Sequence, residues 1–147
     1  MLRFDDAERT LALSVRDVVE CGAPRGHLTL DVVRRSRARL AAGQWVHQQY
    51  QTARESEDTG FTREVQLEIT RVIDGWTVRI QGRVDGLVDA GGQWIVEEVK
   101  STALDASRLH ATDVPDWPEY VEQLEIYLWM LKRDRPASRV RGRLVFV

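Results

Sequence analysis

The chain has 147 residues, 43% of them hydrophobic and 30% charged, and a formal net charge of −2. That length gives one domain with a real core, and the charge excludes a generally basic nucleic-acid coat, so any nucleic-acid contact has to come from a local patch. A single cysteine, Cys21, excludes an internal disulfide and a cysteine-ligated zinc or iron–sulfur site; no apolar run approaches the roughly 20 residues that span a membrane, and Met1–Asp6 has no signal-peptide pattern, so a cytoplasmic protein is expected.

In chain order, Thr10–Ser14 predicts a short strand and Val15–Cys21 a short helix. Gly22–Gly26, with Pro24, reads as a loop. Asp31 is a candidate cap for a long helix to about Arg54, with Val32, Val33, Leu40 and Val46 as its apolar positions. Arg34, Arg35, Arg37 and Arg39 make a basic cluster on it, which reads as a solvated face or a local contact for nucleic acid. Glu55–Gly60 is a polar break. Arg63–Val72 alternates as a strand, Asp74-Gly75 signals a hairpin, and Trp76–Ala90 forms the next strand. Gly91-Gly92 turns the chain into a third strand, Gln93–Ser101. After a connection over Ser101–Trp117, the run Asp116-Trp117-Pro118-Glu119 offers a cap, a first-turn proline and an early acid for a helix to about Lys132. Arg135-Pro136 stops that helix and Val140–Val147 is a final strand. This order predicts an α/β fold, a central mixed β-sheet flanked by helices. The apolar ending at Val147 suggests that residues 1–147 are one domain from the N-terminal part of a longer protein.

The Gly91-Gly92 turn fixes a register with chemical content. With Ala90 facing Gln93, Val88 meets Ile95 and Val84 meets Val99 on one face; Leu87 meets Val96 and Asp85 meets Glu98 on the other, which Lys100 shares. Two carboxylates across a half-buried ladder destabilise each other unless a cation compensates them. Either Lys100 and Arg83 supply that charge in an ion-pair network, or a hard, oxygen-seeking metal does, which means Mg²⁺ or Mn²⁺. A metal beside a lysine suits phosphodiester hydrolysis. Lys100 is conspicuous for a further reason: of 21 basic residues only Lys100 and Lys132 are lysine, so lysine should persist where the planar, permanently charged arginine fails.

Two helices carry further candidates. Gly43 precedes His47 by one helical turn, which puts both on one face and gives the glycine a reason in close approach to another element. Gln123 and Tyr127 share a face of the last helix, beside a packing stripe of Leu124, Leu128 and Leu131. Taken singly, each also reads as ordinary structure: a core histidine, a helix flank with a half-buried tyrosine.

Together, Gly43 with His47, Asp85 in Gly82-Arg83-Val84-Asp85-Gly86, Glu98-Val99-Lys100, and Gln123 with Tyr127 resemble the PD-(D/E)XK nuclease superfamily, and within it the RecB-like branch with its GxxxH, D, ExK and QxxxY motifs. The resemblance spans about residues 10 to 147 and implies a restriction-endonuclease-like core. It implies that His47, Asp85, Glu98 and the Val99 carbonyl would hold Mg²⁺ or Mn²⁺, that Lys100 would be the catalytic lysine, and that Gln123 and Tyr127 would orient it or touch the DNA backbone; Glu64 is a weaker candidate. Position 84 is valine where the family's name has proline, and the iron–sulfur cysteines of some relatives are absent. The implied activity is a metal-dependent DNA exonuclease for repair or recombination, acting on single strands or free ends. The segment Gly82–Lys100 is also similar to the N-terminal nuclease-like regions of DinG-type superfamily 2 helicases, which implies as an alternative a non-catalytic module guiding DNA to a fused helicase. A structural α/β interaction domain is the third reading.

Overall fold

The structure, a computed structural model, describes residues 2–22, 37–102 and 117–147, with backbone alone for 37–40. Its elements are β1 (Arg3–Asp5), β2 (Thr10–Ser14), α1 (Val15–Gly22), α2 (Arg37–Glu57), β3 (Phe61–Ile73), β4 (Trp76–Asp89), β5 (Gln93–Lys100), α3 (Pro118–Asp134) and β6 (Arg139–Phe146). They build a six-stranded mixed sheet in the order β1-β2-β4-β5-β6, with β3 along the other edge of β4. Parallel β2 and antiparallel β5 share one edge of β4 end to end, at residues 77–81 and 86–89. The expected mixed α/β sheet is thus the fold.

Local chemistry explains most boundaries. Ser14 and Asp17 form a capping box at the start of α1: the Asp17 amide donates to Ser14 Oγ at 3.1 Å, and the Ser14 amide to Asp17 Oδ2 at 2.8 Å. Asp74 and Gly75 both take positive φ, +50° and +80°, which is what a two-residue hairpin matched to strand twist requires. Gly91 and Gly92, at +66° and +95°, close the second hairpin, and the Ala90 amide donates to the Gln93 carbonyl.

Several expectations shift. Strand β1 was not foreseen; it survives as an edge because Phe4 stacks on Trp76 with centroids 4.9 Å apart. Helix α2 continues through the polar stretch after Arg54 to Glu57. Helix α3 starts after Trp117, which makes no side-chain capping bond, and Pro118 occupies its first turn. Asp31, Val32, Val33 and Asp116 lie outside the described residues, as do the basic cluster's side chains.

The main core lies between the sheet and the α1–α3 layer. It comprises Val15, Leu67, Val84, Leu87, Val96, Leu124, Tyr127, Met130 and Leu131. Each fully buried Val or Leu contributes about 1.5–3 kcal/mol. Glycines let this layer press close: a Cβ on Gly82 would stand 2.6 Å from Tyr127 Cε1 and 2.7 Å from Val15 Cγ2. Gly82→Ala should therefore cost about 1–3 kcal/mol of overpacking, read as a lower urea midpoint with unchanged slope; an unaltered midpoint would refute this packing.

Strand β4 does not keep one facing. Gly82 looks at α1 and α3, whereas a Cβ on Gly86 would meet the Phe61 ring and Glu97, beside α2. Regular alternation would point both the same way. Val84 and Leu87, three apart, likewise share the α3-side core. Its neighbour β3 behaves alike: Phe61 carries Arg54 of α2 over its ring, 5.3 Å from the centroid, while Leu67 belongs to the α3-side core. The ladder pairs Arg63 with Gly86 and Val65 with Val84, leaving Glu64 and Asp85 face to face and unpaired. Glu64 there adopts φ +54°, an uncommon conformation for a side-chain-bearing residue. Both strands therefore turn over at one position, and Asp85 is at the seam.

Candidate active site

The seam frees backbone groups that side chains then satisfy. The Asp85 carbonyl accepts from Gln51 Nε2 of α2 at 2.9 Å, and the Arg83 carbonyl accepts from the Tyr127 hydroxyl of α3 at 3.2 Å. Across the gap, the Val99 amide donates to Asp85 Oδ2 at 2.8 Å, so a carboxylate stands where a ladder carbonyl would be. The β4–β5 register is as expected at Leu87–Val96 and Val88–Ile95, but the ladder ends at Gly86–Glu97. The expected ladder pairs Val84–Val99 and Asp85–Glu98 do not form, because β4 turns over first. Val84 joins Leu87's side of the sheet instead, and Asp85 reaches the site from the strand edge rather than from a regular face.

His47 sits on α2 with Nδ1 3.9 Å from Asp85 Oδ1, the two side chains 29% and 24% exposed. Gly43 lies one turn earlier, where a Cβ would stand 3.0 Å from Ser101 Oγ. The close approach expected of that glycine is made against the end of β5.

Glu98 and Lys100 occupy the same face of β5. Lys100 Nζ donates to Glu98 Oε1 at 2.7 Å and to Gln123 Oε1 of α3 at 2.9 Å, and lies 4.6 Å from the centroid of the Tyr120 ring. Glu98 is 3% exposed. Burial pushes its carboxyl up to about 7 from an ordinary 4.5; Lys100 opposes the shift, Asp85 adds to it, and Arg16 of α1 opposes it weakly. Glu98 Oε2 is the one buried side-chain N or O atom among the described residues with no hydrogen-bond partner. Leaving such an atom unmatched costs about 1–3 kcal/mol, a cost that a bound cation or hydrogen-bond donor there would relieve.

The candidates thus divide. Asp85, Glu98, Lys100 and Gln123 converge on the gap, with His47 at its rim. Tyr127 lies beneath them: its buried hydroxyl donates to the Arg83 carbonyl of β4 and also hydrogen-bonds Gln123, and burial, with the charges of Glu98 and Asp85, raises its pKa. Arg83, which with Lys100 was one of the two alternatives for balancing the acids, instead pairs with Glu64 at 3.6 Å, both well exposed. The sequence reasoning missed Gln51, Tyr120 and Arg16. Gln51 could have been found one turn after His47, and Tyr120 one turn before Gln123.

Among the described residues, no three His, Cys, Asp or Glu side chains stand together as a ready-made metal cage. The donor chemistry nevertheless fits a hard divalent cation: an orphaned carboxylate oxygen on Glu98, a second carboxylate on Asp85, and an imidazole beside it. Glu97, next in sequence, points to the opposite face and is fully buried against α2; its hydrogen bond and burial push the Tyr50 phenol up to about 12, burial being the larger cause.

Comparisons with known proteins agree with this frame. A search of curated proteins finds no match. The solved structure described as "Crystal structure of SSO0001" is similar in fold, with TM-score 0.61 and 21% identity over 92% of this chain. The match covers 61% of that structure's chain, so the present chain spans about three-fifths of its length. The sequence profile of the PD-(D/E)XK nuclease superfamily matches residues 4–147, and the chain belongs to that superfamily.

Proposed function

We propose that this chain is a divalent-cation-dependent deoxyribonuclease domain of the RecB-like type, acting on single strands or free ends of DNA in repair or recombination. The observation that carries the reading is the buried, unmatched Oε2 of Glu98, on a carboxyl whose other oxygen accepts from Lys100 and which feels the charge of Asp85. Glu98, Asp85 and His47, with the Val99 carbonyl, would hold Mg²⁺ or Mn²⁺. When bound, such an ion polarises a phosphate oxygen and acidifies its water. Lys100 has three N–H donors, and Glu98 and Gln123 take two. We assign the third to the attacking water or a phosphoryl oxygen, where a fixed cation stabilises the charge that develops. Gln123 fixes the direction of the ammonium group, and Asp85 holds β5 in place through the Val99 amide.

Purified protein should cleave labelled single-stranded DNA with Mn²⁺ or Mg²⁺ and lose that activity with chelator. Asp85→Asn should reduce cleavage by about 10²-fold or more. Cleavage that persists in chelator would sink the reading. That no three-ligand cage stands among the described residues favours one rival, a non-catalytic module that hands a strand to a fused helicase. That rival requires a DNA mobility shift without cutting in either metal.

A further inference from the structure

We propose that Glu97 is a positioning residue for the site: its buried charge fixes α2, and with it His47 and Gln51, against the strand that carries Glu98 and Lys100. This rests on the metal-site reading above.

Glu97 is 0% exposed, and a carboxylate there needs full compensation. Three side chains on two elements provide it. Tyr50 of α2 donates its hydroxyl to Oε2 at 2.8 Å. Arg54 of α2 reaches Oε1 at 3.2 Å and Oε2 at 3.5 Å. Arg143, the register partner of Glu97 on β6, donates to Oε1 at 2.8 Å. Glu97 and Glu98 therefore divide the work of one dipeptide. Alternation sends them to opposite faces; the first is saturated by protein donors, the second keeps an oxygen open.

Helical spacing links this clamp to the site. His47, Tyr50, Gln51 and Arg54 recur at steps of three and four, on the face that α2 turns to the sheet. Tyr50 is one turn from His47, and Gln51, 3% exposed, holds the Asp85 carbonyl. Among the described side chains of α2 the large apolar ones anchor little: Trp45 is 62% exposed and Val46 half-buried. The polar clamp therefore decides where His47 stands relative to Asp85.

The test is calorimetric Mn²⁺ titration of the full chain as wild type, His47→Ala, Glu97→Gln and the double variant, with thermal unfolding alongside. Each single substitution should weaken Mn²⁺ binding about tenfold, and the double should be little worse than His47→Ala, because both remove the same contribution. Tyr50→Phe, which keeps both ion pairs, should weaken binding about threefold and preserves the test if Glu97→Gln fails to fold. A lowered unfolding temperature with unchanged Mn²⁺ affinity in Glu97→Gln and Tyr50→Phe overturns the inference alone. So do losses that multiply in the double variant. A His47→Ala protein that binds Mn²⁺ as the wild type does removes His47 from the ligand set and overturns this inference with it. A wild type that binds no Mn²⁺ overturns the metal reading and this inference together.

Discussion

Lys100→Ala should abolish measurable cleavage, lowering kcat by about 10³-fold, within the range seen when a preorganised charge-stabilising donor or general acid–base group is removed. The side chain is held on three sides, by Glu98, Gln123 and the Tyr120 ring, so its terminal atom has little freedom. Lys100→Arg should fail nearly as badly. A guanidinium is a wide planar fork, and the space between a carboxylate at 2.7 Å and an amide at 2.9 Å suits a compact ammonium. Kinetics on labelled single-stranded DNA in Mn²⁺, with circular dichroism to show that the variants fold, would decide it. Residual cleavage within tenfold of wild type in Lys100→Ala would remove Lys100 from the chemistry.

The second large effect concerns pH. The Glu98 carboxyl is raised from 4.5 to about 7 in the folded protein, chiefly by burial. Between those values the folded state keeps a proton that the unfolded chain has released. Stability of the metal-free protein should therefore fall as pH rises from 4.5 to 7, the reverse of the usual salt-bridged carboxylate. A shift of that size corresponds to a loss on the order of 3 kcal/mol, complete above pH 7 and absent below 4.5. Urea unfolding in chelator, compared at several pH values between wild type and Glu98→Gln, isolates this group. The difference between the two proteins should change by about 2–3 kcal/mol across the window; parallel pH profiles would show that Glu98 is not buried as described. Metal binding requires the ionised carboxylate, so Mn²⁺ affinity should climb through the same interval.

Much of this was legible in the residues. Turn chemistry at Asp74-Gly75 and Gly91-Gly92 located the two hairpins, and the second set the Leu87–Val96 register that brings Glu98 and Lys100 near Asp85. The α3 stripe was readable because Leu124 and Leu131 pack into an apolar core. Helix α2 was harder: its sheet-facing residues, His47, Tyr50, Gln51 and Arg54, are polar, so apolar periodicity says little about what that helix touches. The turnover of β4 was invisible, because regular pairing is the default and nothing in Arg83-Val84-Asp85 signals a break. The division between Glu97 and Glu98 was hidden because alternation separates them but does not say which is compensated: the partners of Glu97 lie 43 to 47 positions away in the chain, whereas Glu98 meets Lys100 two residues on.

The reversal shared by β3 and β4 has a consequence for length variation. Removing one residue between Gly82 and Gly86 would not simply shorten β4. It would restore even alternation, and because Val84 and Leu87 already share the apolar layer three residues apart, Leu87 would stay there and the hairpin to β5 would keep its phase. What would go is the odd residue that leaves Glu64 and Asp85 unpaired, and β3 would then carry the mismatch alone. Deleting Asp85 should therefore remove the hold on the Val99 amide while leaving the apolar layer in place.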